Sequence, residues 1–202
     1  MKSEESQATP NDQTLKVRLV QVAVELLAEP RGMKLPTMRE IASKAGVAPG
    51  AAYRHFDSQE ELFFAVVSEL FGQLEFALVS SARDETDPVS IIRKFAHAYV
   101  NWGSLNKGGY QLLFETTDDD DLMATGKRPG LHLIDHMATI LSGNPKPTKE
   151  ELAKATQIWA SLHGIVSLRT HKTGMPWPTS VETDVDQLID TLLKTYNQPS
   201  QK

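Results

Sequence analysis

The chain has 202 residues, of which 40% are hydrophobic and 23% charged, with a net charge of −5 and no cysteine. That content supports one or two folded domains with a real core, and it excludes a disordered chain, a disulfide framework, a zinc finger and a thiol nucleophile. No apolar run approaches the roughly 20 residues of a bilayer span, and the polar, acid-containing N-terminus does not read as a signal peptide, so a cytoplasmic location is expected.

Residues 1–12 lack periodicity and are rich in Ser, Glu, Gln and Pro, so they read as a flexible tail. Leu15, Leu19, Val22, Leu26 and Leu27 mark a first helix, ending near Glu29, Pro30 and Gly32. The next stretch, TMREIASKAGVAPGAAYRHF from Thr37 to Phe56, carries two short helix patterns about one glycine. Thr37 and Glu40 form a capping box that starts the first helix. Ile41, Ala42 and Ala45 give it an apolar face, leaving Arg39, Ser43 and Lys44 for solvent or phosphate. Gly46 stops it in the left-handed conformation that ends helices, Val47 plugs the corner, and Pro49 suits the first turn of the second helix. Two helices at so tight a corner make a helix-turn-helix, whose second member enters a DNA major groove.

The start of that second helix is built of small residues, Gly50, Ala51 and Ala52, which bury little but let a helix sit deep in a groove. An alanine methyl there can touch a thymine methyl. Tyr53, Arg54 and His55 supply donors for phosphates or a base edge, and Phe56 points inward. The net charge argues against DNA until its distribution is read. Residues 14–60 hold seven basic and five acidic residues, a net of +2, against 13 basic and 18 acidic over 61–202. A mildly basic head on an acidic body orients the molecule on a polyanion.

The pattern T-x-R-E-I-A-x-x-A-G-V-x-x-G-x-x-Y-x-H-F, followed by x-S-x-E-E-L at Asp57 to Leu62, resembles the tetracycline-repressor (TetR) family of transcriptional regulators over roughly residues 14–62. The resemblance implies an all-α homodimer with three N-terminal helices for a double-stranded DNA operator. A larger C-terminal bundle would bind a small-molecule effector and dimerise. It also implies phosphate contacts from Thr37, Tyr53 and His55 and groove contacts from Gly50 and Ala51. With Arg39, Ala48, Pro49 and Arg54 these form the expected DNA-binding set. Ala48 stands where a serine or threonine cap is usual and Gln59 where a lysine is common, and both weaken the grip on the backbone.

Beyond the head, a long helix is expected from Ser58 to about Ala82, linking a helix-turn-helix domain at 13–60 to a ligand-binding and dimerisation domain at 61–202. Asp87-Pro88 opens a helix to about Leu105, and Gly108-Gly109 separates it from a short Tyr110 to Glu115 segment. Helices near 128–142, 148–173 and 181–197 bring the total to about nine, with no strand. Leu152, Thr156, Trp159, Leu162 and Val166 form one stripe, and Val185, Leu188, Ile189, Leu192 and Tyr196 another. The two either pair with a second copy or cover the subunit's own core.

Trp159-Ala-Ser-Leu-His163-Gly164 resembles the Trp-x-x-x-His-Gly signature of the WHG type of C-terminal domain in the TetR family. His163 there meets a ligand or fills a polar gap in the core, and Gly164 allows close helix packing. The second domain holds Phe95, Tyr99, Trp102, Tyr110, Phe114, Trp159 and Trp177, of which Trp102, Phe114 and Trp159, with His163, are the expected ligand-binding residues. No cofactor class is indicated. His132 and His136, with Asp135 between them, have a spacing that can hold a metal. No third ligand is identifiable, and the run Asp118 to Asp121 reads as a solvated loop. His97, His163 or His171 could serve an enzyme as base, but the chain has no nucleophile elbow, P-loop or dinucleotide fingerprint. A protein-interaction module with a degenerate DNA head is the remaining alternative.

Overall fold

The computed structural model describes residues 10–28, 35–115 and 129–196. Among them it contains nine helices and no strand: α1 Pro10–Leu26, α2 Met38–Lys44, α3 Pro49–Ala52, α4 Gln59–Ser81, α5 Pro88–Leu105, α6 Lys107–Phe114, α7 Pro129–Ser142, α8 Lys149–His171 and α9 Val181–Tyr196. The all-α architecture with an N-terminal helix-turn-helix is as expected. Residues 1–9, 29–34, 116–128 and 197–202 lie outside the described set, and with them most of the expected tail, the end of α1 at Glu29 to Gly32, the acidic run and the expected end of the last helix at 197. Helix α1 starts at Pro10, inside the stretch expected to be a tail, at a position where proline suits a helix.

Local chemistry sets most helix starts. Ser58 accepts from the Glu61 N–H ahead of α4, Asp87 from the Ser90 N–H ahead of α5, and Thr148 forms a full capping box with Glu151 ahead of α8. The boundary between α5 and α6 differs from expectation. The break falls at Asn106, and Gly108 and Gly109 lie inside α6. Gly109 serves close packing instead of a turn, since a Cβ there would sit 2.8 Å from Leu70 Cδ2 on α4.

Helix α5 is the centre of the body and packs against α4, α6, α7, α8 and α9, while α1 ties the N-terminal helices to α4. One apolar core runs through the whole chain, from Leu19 and Ile41 through Leu62 and Leu70 to Ile158 and Ile189. Over an 18-residue window α4 has a mean hydropathy of 1.7, which by length and composition would suffice to cross a bilayer. This differs from the expectation that no such run exists. Its buried residues, Leu62, Phe63, Val66, Val67, Leu70, Leu74 and Leu78, belong to that core.

The glycine that brings two long helices together is Gly103 on α5, where a Cβ would lie 2.7 Å from Val166 Cγ1 on α8 and 2.8 Å from the Tyr110 ring. Gly164, expected to do this, has nothing within 4 Å of its Cβ position. The two expected interface stripes are largely core of the same subunit: Leu162, Val166, Val185 and Ile189 are buried within it. Leu152, Trp159, Leu188 and Leu192 are half-buried and only Thr156 is exposed, while the Tyr196 side chain lies outside the described set. Helix α9 is also clamped by charge. Arg93 on α5 meets Asp186 at 3.1 Å and also pairs with Asp190, and His97 Nε2 meets the same Asp186 oxygen at 2.9 Å.

Candidate nucleic-acid interface and effector cluster

The reading head is assembled from its caps outward. Thr37 Oγ1 accepts the Glu40 N–H at 3.2 Å, and the Thr37 N–H donates to Glu40 Oε2 at 2.7 Å, which fixes the start of α2. At its other end the Val47 N–H reaches the Ala42 carbonyl and the Gly46 N–H the Ser43 carbonyl, with Gly46 at φ +71°. This pair of bonds is the Schellman arrangement, and it sets the corner angle between α2 and α3. Ala48 adopts the extended N-cap conformation of α3 but has no side chain to cap it.

Helix α3 is shorter than the sequence pattern suggests. It spans only Pro49–Ala52, and the Arg54 and His55 N–H groups bond three residues back, to Ala51 and Ala52, in the tighter winding common at helix ends. Tyr53, Arg54 and His55 therefore stand on a closing turn. Among the expected DNA-binding residues, Arg39, Ala48, Pro49, Gly50, Tyr53 and Arg54 are exposed, Thr37 is exposed at its cap, and Ala51 and His55 are half-buried. Beneath them Ala52 and Phe56 are fully buried. Small residues, ring and guanidinium thus share one outer surface over an apolar floor.

Several charges of the head are already engaged. Lys44 pairs with Glu25 at 3.5 Å and Lys16 with Glu61 at 3.8 Å. The Lys16 ammonium also lies 4.9 Å above the Phe56 ring, which joins α1, the turn after α3 and the start of α4. Arg18, Arg39 and Arg54 remain exposed.

In the body, three of the four expected ligand residues come together and one does not. Phe114, Trp159 and His163 are mutual neighbours, with ring centroids 5.7 to 6.3 Å apart. Trp102 is buried elsewhere, facing an open groove between α5 and α9. Its place is taken by two residues the sequence reading left among the general aromatics. Tyr110 stacks on His163 at 5.5 Å, and its hydroxyl lies 2.6 Å from His163 Nδ1 and 3.0 Å from the Tyr99 hydroxyl. Trp177 is no part of this group; it lies over Arg169 and donates to the Lys172 carbonyl.

Burial sets the protonation of this cluster. It holds both tyrosine hydroxyls well above their ordinary range, and it lowers His163 against the opposing pull of the Glu115 charge. The Tyr110 hydroxyl and the neutral His163 ring share one hydrogen bond, and the Tyr99 and Tyr110 hydroxyls share another. Among the described residues, the buried Trp159 Nε1 and Glu115 Oε1 have no hydrogen-bond partner. The indole N–H lies near enough to the Tyr99 hydroxyl to favour its ionised form, yet it lacks hydrogen-bond geometry. Glu115 was missed from sequence because nothing in a helix-terminal glutamate signals burial. Beside the Tyr99 and Trp159 rings lies a small space of about 20 Å³, room for one water.

A pH dependence follows from the lowered His163. The unfolded chain binds a proton at the ordinary histidine pKa and the folded one only below it. Stability therefore rises with pH through that window and falls as pH drops below about 6.5. Thermal melts between pH 7.5 and 5.5 should show a decline that is smaller in His163→Gln. The carboxylates held low by their partners, such as Asp184 and Asp186, act only at more acid pH.

The metal reading gains no support among the described residues, where no group of three or more potential ligands is found. His132 and His136 are exposed and lie against the Phe71 and Phe95 rings.

Residues 19–66 match the family model for bacterial regulatory proteins of the tetR family, and residues 92–192 match that of the tetracycline repressor-like C-terminal domain. The nucleoid occlusion factor SlmA of Actinobacillus pleuropneumoniae is 28% identical over 113 residues, 53% of this chain and 54% of its own length. The transcriptional activator FasR of Mycolicibacterium smegmatis is 33% identical over 85 residues, 42% of this chain and 39% of its own. The chain spans about half the length of the curated relatives it matches. A transcriptional regulator from a Rhodococcus species shares the fold, with a TM-score of 0.70 at 20% identity over 89% of this chain and 96% of that one. With one model matching the head and a second matching half of the chain, the protein belongs to the TetR family of DNA-binding transcriptional regulators.

Proposed function

We propose that the protein acts as a homodimer that binds a palindromic operator and represses, and that a small apolar or amphipathic effector releases it. The exposed Pro49, Gly50, Tyr53 and Arg54 over the buried floor of Ala52 and Phe56 carry this reading. In it, Thr37, Arg39, Tyr53 and His55 hold phosphates, Ala48 to Ala51 sit against the groove, and Arg54 is the bidentate candidate for a guanine. With a single strong base reader, specificity leans on DNA shape and on half-site spacing. The effector is assigned to the cluster of Phe114, Trp159 and His163, with Tyr99 and Tyr110 added and Trp102 set aside.

The dimer supplies the spacing, since one short helix reads too little by itself. Its face is assigned to the outer side of α8, where Ala153, Gln157 and Ala160 are exposed, Gly164 is open and Leu168 is 48% exposed. Small residues at this spacing let a second copy of α8 approach closely. Helix α4, shared between the head and the body, is the element through which an effector would change the separation of the two heads. Repression is the commoner outcome in the family, while the Mycolicibacterium relative is an activator.

The test combines sedimentation with fluorescence anisotropy on the protein's own upstream DNA. A dimer at micromolar concentration is expected, binding a palindrome at least tenfold more tightly than a half-site. Ala160→Glu should yield monomers that lose this preference. A wild-type monomer that binds half-sites equally well would defeat the proposal. Specific DNA binding with no effect on transcription would favour the protein-interaction reading instead.

A further inference from the structure

Glu115 ends α6 against the aromatic cluster. Its side chain is only 16% exposed, Oε2 lies 3.4 Å from His171 Nε2, and Oε1 is buried with no hydrogen-bond partner among the described residues. Gln111 holds the same His171 ring nitrogen at 2.7 Å, so the imidazole is fixed on the more open side of the carboxylate. Tyr99, Tyr110 and His163 are all kept neutral by burial, and the Glu115 charge acts on each of them. A buried carboxylate oxygen without a donor is costly, and a ligand donor recovers that cost. The faces of Phe114 and Trp159 attract cations, and together with the carboxylate they repel anions. The Trp159 N–H, which lies near the Tyr99 hydroxyl but has no hydrogen-bond partner among the described residues, offers a place for one acceptor atom.

We infer that the cluster recognises a small lipophilic amine carrying an ether or hydroxyl oxygen, with its ammonium on Glu115 Oε1, its oxygen on Trp159 Nε1 and its apolar part among the Phe114 and Trp159 rings. Carboxylates and phosphates are excluded. The inference rests on the effector-responsive reading above and names the chemical class of that effector. The space of about 20 Å³ on the Trp159 side does not hold such a molecule and is not lined by Glu115 or Phe114, so binding displaces side chains between them. The outer wall of that space is formed by Leu133, His136 and Met137 of α7, with His136 exposed.

Three molecules of one skeleton test it: 2-phenoxyethylamine, 2-phenoxyethanol and phenoxyacetate, followed by thermal shift and by release of bound operator. The amine is expected to bind about tenfold or more tightly than the alcohol, and phenoxyacetate not at all. Glu115→Gln should lose that tenfold preference while keeping the affinity for the alcohol, and Trp159→Phe should weaken amine and alcohol alike. Should Glu115→Gln fail to fold, the wild-type ranking decides alone. Equal binding of the alcohol or the acid would overturn the charge class and leave an effector-responsive protein, and no shift with the amine would overturn the inference outright. An amine that binds without releasing DNA would uphold the inference and defeat the release mechanism.

Discussion

Phe56→Ala is expected to destabilise the protein by about 3–5 kcal/mol, the cost of emptying a fully buried aromatic site. Phe56 is 1% exposed, and its ring carries the Lys16 ammonium that also pairs with Glu61. Loss of that cation–π contact adds about 0.5–1 kcal/mol. Against a total stability of about 5–15 kcal/mol for an ordinary domain, this removes a large share and should lower the unfolding midpoint clearly. Urea unfolding followed by circular dichroism measures it, and Phe56→Leu, which keeps most of the apolar volume but removes the ring, is expected to cost clearly less than Phe56→Ala. A change below about 1 kcal/mol for Phe56→Ala would show that the head does not rest on this ring.

The head was legible because its determinants are local. A threonine three residues before a glutamate, a glycine at a helix end and a proline at a helix start act within one or two turns, and all three appear where the sequence pattern placed them. The same holds for Ser58, Asp87 and Thr148. Positions whose meaning depends on a distant partner were not legible. Gly108 and Gly109 look like a chain break in sequence, yet Gly109 is the contact with Leu70 on another helix. Gly164 looks like the close-packing glycine of α8, but Gly103 on α5 fills that role.

The aromatic cluster shows the same limit. Helical periodicity counts Tyr99, Trp102, Tyr110 and Phe114 alike as apolar-face residues, and only the crossing of α5, α6 and α8 decides which rings meet. Trp102 lines the groove beside α9, while Tyr110 stacks on His163. The buried atom of Glu115 depends on that crossing too.

Gly50→Leu separates the DNA role from stability, as Phe56→Ala cannot. A Cβ at Gly50 meets nothing within 4 Å, and the backbone there is helical, so a larger side chain enters open space. Replacing glycine in a helix stabilises by up to about 1 kcal/mol, and the melting temperature should hold or rise. On DNA the same side chain would fill the gap that lets α3 approach the bases. Lifting the helix away forfeits contacts worth about 1–3 kcal/mol each, so operator affinity should fall by about a hundredfold or more. Gly50→Ala adds a single methyl and should fall between. Binding measured at two salt concentrations tells the two components apart. Non-specific affinity rests on phosphate contacts from the rim of the head and should persist with its salt slope, while the preference for operator over random DNA collapses. If Gly50→Leu binds operator as the wild type does, the groove-facing surface is not the one that begins at Pro49, and the exposed residues of α1, Val17, Arg18 and Gln21, become the next surface to vary.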